Sequence, residues 1–358
     1  MFLVLLLGSI VFLAACTSSS DKKEVEFVVP VFPPPPETPR FTYIDTIRSS
    51  ADVLKEDSTS AFRRFATGEQ RIGQGFSKPY SVIVQDGRIY VGDTVRHTVM
   101  VMDPEGEGKF FEIGKTEPGK LTSPMGMAKD AKGNIYVNDA KAKKVVVYDR
   151  DGNFITTFGG KDYFQRLSGI AVDPDGKRAF VVDTGGVQSQ EHRIRVFDVA
   201  SGKHEYDIGT RGTADGQFNL PVSAVINKFN GLLYVVDSGN FRVQVFNQDG
   251  TFVNKFGDVG RRTGQFSRPK GISSDKQGNI YVVDTAFGNV QIFTSKGELL
   301  MFLGGRGGVD KPAKYMLPSG VDVDDNGQVY IIDQFYRKLE VYKPVESMSP
   351  EDANDVKP

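Results

Sequence analysis

Short runs of alternating apolar and polar residues, separated by Gly, Asn and Asp, fill most of the chain. One unit has a small apolar run at 271–274, an Asp-x-x-Gly-Asn turn, and further runs at 280–284, 290–293 and 299–303. Alternation over about four to eight residues is typical of a strand with one buried face. The residues between the runs are those of tight turns. The pattern therefore predicts units of four short antiparallel strands.

The same unit recurs six times along the chain. An aspartate closes the second run of each unit, at Asp93, Asp139, Asp183, Asp237, Asp284 and Asp333, so the intervals are 46, 44, 54, 47 and 49 residues. A lone four-stranded unit cannot bury both faces of its sheet, so the units must stack on one another. Six units without a capping repeat predict an all-β fold, a closed six-bladed β-propeller.

The ring needs a closing strand, because the sixth unit stops after its third run at 338–342. The stretch 61–66 precedes a glycine-rich segment that matches the one after the fourth run of the fourth unit. We therefore expect residues 61–66 to complete the last blade and cover its open edge. The predicted propeller domain spans 61–344.

The first 15 residues differ in composition from the repeats. Residues 2–15 are apolar but fall short of the roughly 20 residues that span a bilayer, as in a secretory signal peptide. The run ends in Leu-Ala-Ala-Cys at Cys16, the only cysteine of the chain. This ending resembles the signal of bacterial lipoproteins, which implies a lipidated Cys16 (palmitate) and a membrane anchor. A plain signal peptide with an incidental cysteine is the alternative. Thr17 favours the outer membrane within that resemblance.

Two segments flank the repeats. Residues 16–60 are interpreted as a tether that contains four consecutive prolines at 33–36. Such a run favours a stiff polyproline II spacer of about 3.1 Å per residue, and a featureless linker is the alternative. Residues 345–358 form an acidic tail that we expect to be disordered.

The repeats also resemble a known family. Pro-x-Gly-Ile, Asn-Ile-Tyr-Val-x-Asp and Asn-Val-Gln-Ile-Phe follow one another in the fifth unit, and variants recur across roughly 61–343. This succession is similar to the NHL repeat, and with the leader it resembles the bacterial lipoprotein type. The third unit departs from the pattern, since it lacks the proline and carries an insert at 185–192. NHL propellers include protein and RNA platforms and lyases, so the resemblance leaves the function open.

The six aspartates invite a catalytic interpretation, but their repetition favours a structural one. An active site needs one asymmetric constellation, and these residues occur in every unit. Basic residues follow three of them five positions later, at Lys144, Arg242 and Lys338. We expect each aspartate to accept turn amides and to face a basic partner where one is present.

No cofactor is predicted, and metal candidates are weak. His97 and His192 lie in equivalent loops two blades apart, and Glu191 adjoins the second. The equivalent loop of the fifth unit, 285–288, supplies no third ligand of the kind zinc prefers. The predicted channel strands are mostly apolar, with Lys129 and Asp322 as the main polar exceptions.

Charge is the strongest asymmetry between the two predicted faces, although the net charge is only −1. Loops between second and third strands, and connections between blades, emerge on one face and hold far more Lys and Arg than Asp and Glu. The predicted binding residues of this basic face are Arg96, Lys143, Lys144, Arg166, Arg211, Arg242, Arg261, Arg262, Arg268, Arg306 and Arg337. Aromatic residues interleave with them, and such a surface suits an anionic partner.

These features predict a non-enzymatic binding scaffold in the bacterial cell envelope, anchored in the membrane through lipidated Cys16. Its expected partner on the basic face is an acidic protein, a glycan or a lipid headgroup, and nucleic acid is disfavoured by the export signal. The protein is expected to be a monomer or part of an envelope complex. One alternative is a propeller enzyme of lyase or lactonase type with a metal in the central channel. Another is a structural part of an envelope complex, recognised through its flank or tether.

Overall fold

The computed structural model describes residues 28–55, 65–68, 72–104, 106 and 108–345. The predicted signal peptide, Cys16 and the tail from residue 346 onward lie outside this range. The described part contains no helix with the length and apolar character needed to cross a membrane. It has two 3-10 turns, Ser50–Asp52 and Ser238–Asn240, and a short helical stretch at 65–67.

Six antiparallel sheets, one for each predicted unit, contain most strands of the described chain. Blade 1 is β3 (Pro79–Gln85), β4 (Arg88–Asp93), β5 (Thr98–Asp103) and β6 (Lys109–Ile113). Blade 2 is β7 (Pro124–Lys129), β8 (Ile135–Asp139), β9 (Lys144–Tyr148) and β10 (Phe154–Gly159). Blade 3 is β11 (Leu167–Val172), β12 (Arg178–Asp183), β13 (Arg193–Asp198) and β14 (His204–Ile208).

The second half of the ring follows the same order. Blade 4 is β17 (Pro221–Ile226), β18 (Leu233–Asp237), β19 (Arg242–Phe246) and β20 (Phe252–Phe256). Blade 5 is β21 (Pro269–Ser274), β22 (Ile280–Asp284), β23 (Asn289–Phe293) and β24 (Leu299–Leu303). Blade 6 is β27 (Pro318–Val323), β28 (Val329–Asp333) and β29 (Lys338–Pro344), extended by β2 (Phe41–Ile47) and β1 (Val31–Phe32). Two parallel pairs lie in the connections: β15 (Thr210–Arg211) with β16 (Gln217–Phe218), and β25 (Gly305–Arg306) with β26 (Lys314–Tyr315).

The core consists of six hydrophobic clusters, and each one joins two neighbouring blades. Between blades 4 and 5, for example, Tyr234 and Val243 pack with Ile272 and Val282. Between blades 6 and 1, Ile332 and Leu339 pack with residues of β3, β4 and β5. Each blade thus buries both faces against its neighbours, which confirms the predicted closed six-bladed propeller.

The closing strand is not the one predicted. β2 pairs antiparallel with β29, from Phe41 opposite Pro344 to Ile47 opposite Leu339. Ile47 is buried in the cluster between blades 6 and 1, and Tyr43 packs against the cluster between blades 5 and 6. Residues 61–64 lie outside the described range, and Phe65 is 88% exposed. The prediction of 61–66 was therefore wrong: β2 presents apolar side chains to both adjacent clusters and supplies the closing strand from within the segment assigned to the tether.

The proline run does not form the predicted extended spacer. Val31 and Phe32 of β1 pair antiparallel with Thr42 and Phe41 of β2, so the chain reverses direction across the prolines. The Phe32–Pro33 and Pro35–Pro36 peptide bonds are cis. Phe32 stands edge-on to Tyr342, with 5.9 Å between ring centroids. This part of the predicted tether is thus packed on the flank of blade 6.

Candidate binding face and central channel

The six repeat aspartates are fully buried and lie at the end of the second strand of each blade. The Asp93 carboxylate accepts hydrogen bonds from the Ser77 and Lys78 amides of the preceding connection, at 2.6 and 3.0 Å. It also accepts from the Val95 and Arg96 amides of the following loop, both at 3.0 Å. Asp284 and Asp333 bind both segments in the same way. Each carboxylate therefore clasps a connection between blades to a loop on the same face.

The predicted basic partners of these aspartates form in only one clear case. Arg242 Nε lies 2.9 Å from the Asp237 carboxylate. Lys338 instead pairs with Glu340 at 2.5 Å and with Asp310 at 3.1 Å, because Glu340 lies two residues along the same strand and so on the same side of the sheet. Among the described residues no ion pair joins Lys144 to Asp139.

The fourth residue after the repeat aspartate has a left-handed backbone in five blades. Its φ is 59° at His97, 55° at Lys143, 55° at Phe241, 65° at Gly288 and 52° at Arg337. Only the glycine adopts this region without a steric penalty. We call this face the upper face. Its loops therefore hold non-glycine residues at positions where glycine would adopt the backbone conformation without steric strain.

The predicted basic residues fall into two groups. Arg166, Arg261, Arg262, Arg268 and Arg337 are exposed and form no ion pair among the described residues, and Lys143 and Lys144 are partly exposed. The others are held by the protein itself: Arg96 by Glu112, Arg211 by the Ser189 carbonyl and Arg306 by the Met316 carbonyl. Arg242 is only 7% exposed, so the structure contradicts its assignment to the binding surface; its guanidinium binds Asp237 and two backbone carbonyls.

Sequence reasoning missed a cationic group at the upper mouth of the channel. Lys270 Nζ lies 4.4 Å from the centroid of the Tyr80 ring, and Arg166 and Arg268 act electrostatically on the same tyrosine. Burial, with repulsion from Arg268 and Lys78, lowers the pKa of Lys270 to about 8. Lys270 follows Pro269 in the first strand of its unit, and only the inward position of that strand could have indicated its role.

Exposed aromatic side chains are fewer on this face than the sequence suggested. Phe335 is 57% exposed and Tyr163 is 36% exposed. Phe164 and Tyr315 are buried, because each fills an interblade cluster beneath its connection.

Acidic residues on the opposite face, called the lower face, are largely part of their own turns. The Asp275 carboxylate accepts from the Asn279 amide and side chain, both at 2.8 Å, and from the Tyr281 hydroxyl at 3.1 Å. Asp130 and Asp324 make the corresponding contacts. These carboxylates therefore form hydrogen bonds that stabilise their own turns.

The candidate metal ligands are not brought together. His97 is exposed, whereas His192 is buried, with Nε2 3.0 Å from the Gly186 carbonyl and Nδ1 accepting from the Leu220 amide at 3.2 Å. Glu191 pairs with Arg193 and Arg195. The described residues contain no group of three or more His, Cys, Asp or Glu side chains that could hold a metal ion.

The two polar exceptions of the channel strands meet as an ion pair. Lys129 Nζ lies 2.8 Å from Asp322 Oδ2, although 193 residues separate them in the chain. Asp322 also accepts from the Val84 amide and the Ser273 hydroxyl, both at 2.8 Å. Burial raises its pKa, but the charges of Lys129 and Lys228 outweigh that effect and hold the pKa of Asp322 below its usual value.

Comparison with known proteins agrees with this architecture. The model of the NHL repeat matches residues 218–246. The chain is 30% identical to Protein brain tumor of Drosophila melanogaster over 161 residues, which cover 45% of this chain and 14% of that protein. It is 29% identical to the human E3 ubiquitin-protein ligase NHLRC1 over 137 residues, which cover 38% and 31%. The chain thus spans less than a third of the length of these relatives.

Solved structures with the same fold are more distant in sequence. A structural genomics protein of unknown function from Bacteroides thetaiotaomicron has a TM-score of 0.62 at 17% identity, covering 84% of this chain and 75% of that one. A streptogramin B lyase has a TM-score of 0.55 at 15% identity, covering 75% and 94%. A gluconolactonase from Xanthomonas campestris has a TM-score of 0.55 at 15% identity, covering 75% and 86%.

The closed ring of six sheets defines the class of this protein as a six-bladed β-propeller. Within that class, residues 218–246 match the NHL repeat, and the sheet that contains most of them is one of six similar four-stranded units.

Proposed function

We propose that this propeller is a binding platform of the bacterial envelope, held at the outer membrane through lipidated Cys16, whose upper face takes an anionic partner. The observation that carries the proposal is the set of exposed arginines on that face that form no ion pair with the described residues, above all Arg166, Arg268 and Arg337. An arginine without an acidic neighbour keeps its forked donors available for a carboxylate or phosphate.

The left-handed loop positions support the same interpretation. A non-glycine residue in this region costs about 1–2 kcal/mol, and backbone strain of this kind is concentrated at functional sites. Here the fourth position after the repeat aspartate carries His97, Lys143 and Arg337. Lys143 and Arg337 are cationic, and all three residues belong to upper-face loops.

The partner is an acidic protein, a glycan or a lipid headgroup. All three present carboxylates or phosphates in an exported setting, and charge complementarity would speed their capture more than it would raise final affinity. Nucleic acid is not proposed, because the leader resembles an export signal. The propeller itself acts as a monomer or as part of a larger envelope complex.

Capture of partners from the envelope tests this proposal. Full-length protein carrying Arg166→Gln, Arg268→Gln and Arg337→Gln is compared with wild type and with a control carrying Lys132→Gln, Lys203→Gln and Lys276→Gln on the lower face. All six side chains are exposed. We expect the upper-face variant to lose the captured partner, the control to retain it, and added salt to weaken the wild-type complex. Equal loss in both variants, or capture unaffected by salt, would contradict the proposal.

A channel enzyme of lyase or lactonase type is the second candidate, favoured by the charged Lys129–Asp322 pair in the central channel. The likeness to lyase and lactonase propellers shows a shared fold and no more. Stoichiometric metal in protein dialysed against metal-free buffer would favour this candidate over the platform.

A further inference from the structure

Exposed apolar side chains are concentrated on the upper face. Five different loops of that face each present one large apolar side chain, between 57% and 66% exposed. These apolar tips are Val95, Val187, Val259, Val309 and Phe335. Among the described turns between strands on the lower face, only Phe229 is comparable. Single exposed apolar residues are ordinary, but a set of them at the loop ends of one face indicates a surface that meets an apolar partner.

Cationic side chains adjoin the apolar tips. Arg261 and Arg262 follow Val259 in one loop, and Arg337 follows Phe335 in another. All three arginines are exposed, and none forms an ion pair with the described residues. At the surface of an anionic bilayer, an apolar side chain can enter the acyl boundary while a neighbouring guanidinium stays with the lipid phosphates. The alternation of the two residue types therefore fits such a surface.

Acidic side chains on the upper face do not cancel this charge. Asp310, next to Val309, forms ion pairs with two basic residues at 2.8 and 3.1 Å. Asp258 is exposed beside Val259, but its loop also holds two exposed arginines. Glu117 and Asp162 are exposed as well, and each lies in a connection with two basic residues. The loops around the tips thus keep an excess of positive charge.

The path of the N-terminal strands is a third, independent observation. β2 runs from the lower face toward the upper face along blade 6, and β1 is antiparallel to it. The Tyr43 amide donates to the Pro30 carbonyl at 2.9 Å, so residues 28–30 approach β1 from the upper side. Cys16 lies 12 residues before Val28, a distance that extends to at most about 40 Å. A lipid on Cys16 can therefore lie in the plane that the upper face meets.

We propose that the upper face docks on the surface of an anionic bilayer, with the apolar tips in the headgroup region and the arginines on the lipid phosphates. This inference rests on the proposed function, since it uses the lipidated Cys16 and the cationic upper face, and it names the lipid headgroup as the partner. The anchor alone would leave the propeller free to turn. The docked face fixes its orientation and directs the lower mouth of the channel away from the membrane.

Tryptophan reporters test this orientation, because the chain contains no tryptophan. Full-length lipidated protein carries either Val259→Trp or Phe229→Trp, two exposed loop residues on opposite faces. The vesicles are brominated phosphatidylcholine with about 30% phosphatidylglycerol. We expect bromine to quench the fluorescence of Val259→Trp roughly threefold and to leave that of Phe229→Trp almost unchanged, since only the first reporter reaches the acyl boundary. Equal quenching of both, no quenching of the first, or protein that does not float with the vesicles would overturn the inference.

Charge variants in the Val259→Trp protein test the cationic contribution. Arg261→Gln with Arg262→Gln should abolish most of the quenching, as should vesicles of phosphatidylcholine alone. Lys132→Gln with Lys276→Gln, on the lower face, serves as the matched control and should leave the quenching unchanged. Equal loss in both pairs, or full quenching on neutral vesicles, would refute the assigned role of the arginines.

The outcomes also separate this inference from the proposed function. If the bilayer does not dock but a soluble acidic partner is still captured through Arg166, Arg268 and Arg337, the inference is wrong and the proposed function stands. If neither the bilayer nor an envelope partner binds the upper face, both are wrong.

Discussion

Lys270 Nζ lies 4.4 Å above the ring of Tyr80 at the upper mouth of the channel. An ammonium over an aromatic face gains about 0.5–2 kcal/mol, but this lysine is also removed from water and repelled by Arg268 and Lys78. The cost of burial and the repulsion together outweigh the aromatic contact, so the pKa of Lys270 falls to about 8.

This pKa predicts a specific dependence of stability on pH. Below pH 8 the amine is charged in both folded and unfolded chains, and the full penalty for burying the charge is present. Between about pH 8 and the ordinary value of 10.5 the folded protein loses the proton first, so the contribution of this residue to stability rises with pH. Lys270→Met should remove this rise and stabilise the fold at pH 7 by about 1–3 kcal/mol, at about 1.4 kcal/mol per pKa unit less the lost aromatic contact.

Denaturant unfolding at pH 7 and pH 10 measures the effect of Lys270→Met. Lys132→Met, on an exposed lower-face turn, serves as the control and should leave both values near wild type. A less stable Lys270→Met protein at pH 7 would show that the aromatic contact outweighs the burial penalty.

The repeat aspartate can be tested at Asp237, which accepts from the Asn219 amide at 2.7 Å and pairs with Arg242. Asp237→Asn keeps the size but removes the charge and directs an amide toward the buried guanidinium. We expect a loss of roughly 3–5 kcal/mol, because the buried Arg242 guanidinium loses its nearest carboxylate and keeps only Asp215 at 3.7 Å. Asp249→Asn, in an exposed turn, should leave stability close to that of wild type. Loss of ligand binding by Asp237→Asn at an unchanged melting temperature would instead indicate a functional role.

Closure of the ring by β2 predicts unequal costs for two truncations. Ile47 is 4% exposed and packs between the last and first blades, whereas Phe65 is 88% exposed. Ile47→Ala should destabilise the fold by about 2–5 kcal/mol and Phe65→Ala by less than about 0.5 kcal/mol. Thermal unfolding distinguishes them. A larger effect at Phe65 would restore the strand originally predicted from the glycine-rich segment.

Much of the fold could be predicted because the six aspartates occupy the same position in each repeat. A repeat of this kind specifies both the order of the strands within a blade and the number of blades. The closing strand could not be found in this way, since 41–47 precedes the repeats and shares no motif with them. Arg242 was misplaced because it was assigned to the loop between the second and third strands of its blade, whereas it is the first residue of the third strand. The structure puts this residue at the start of β19, opposite Asp237, where its side chain is buried.

The central channel shows a different limit of sequence reasoning. Lys129 and Asp322 stood out as polar residues in apolar strands, but their pairing depends on ring closure between blades 2 and 6. Lys228 follows the end of its strand, and no sequence motif singled it out. Only the three-dimensional path of its side chain across the channel brings it to Val323.

The left-handed loop position predicts a stabilising substitution. Lys143 has a φ of 55°, whereas Lys141, two residues earlier in the same loop, has no positive φ. Lys143→Gly should stabilise the fold by about 1 kcal/mol because it relieves the steric penalty. Lys141→Gly should destabilise it by up to about 1 kcal/mol, since added backbone freedom is lost on folding. Chemical denaturation of both variants checks the difference, and equal signs would contradict it.

Blade 6 has an ion pair where blades 4 and 5 have a buried glutamine. In blade 4 the Gln244 side chain accepts from the Gly216 amide at 3.0 Å and donates to the Gln217 carbonyl at 2.7 Å. In blade 6 the buried Glu340 accepts from the Ala313 amide at 3.0 Å, and Lys338 donates to the Lys311 carbonyl at 2.8 Å. Two charged side chains thus perform the two tasks of one amide.

This substitution predicts strong coupling between Lys338 and Glu340. Glu340→Gln leaves a buried ammonium with only Asp310 as an acidic partner, and Lys338→Met leaves a buried carboxylate, so each should cost roughly 3–5 kcal/mol. The double variant removes both charges and restores the amide of blade 4, so it should be at least about 2 kcal/mol more stable than the sum of the single effects implies. A double-mutant cycle from urea unfolding measures this coupling. Additive changes in the free energy of unfolding would contradict this coupling. They would mean that Lys338→Met has the same effect whether residue 340 is glutamate or glutamine.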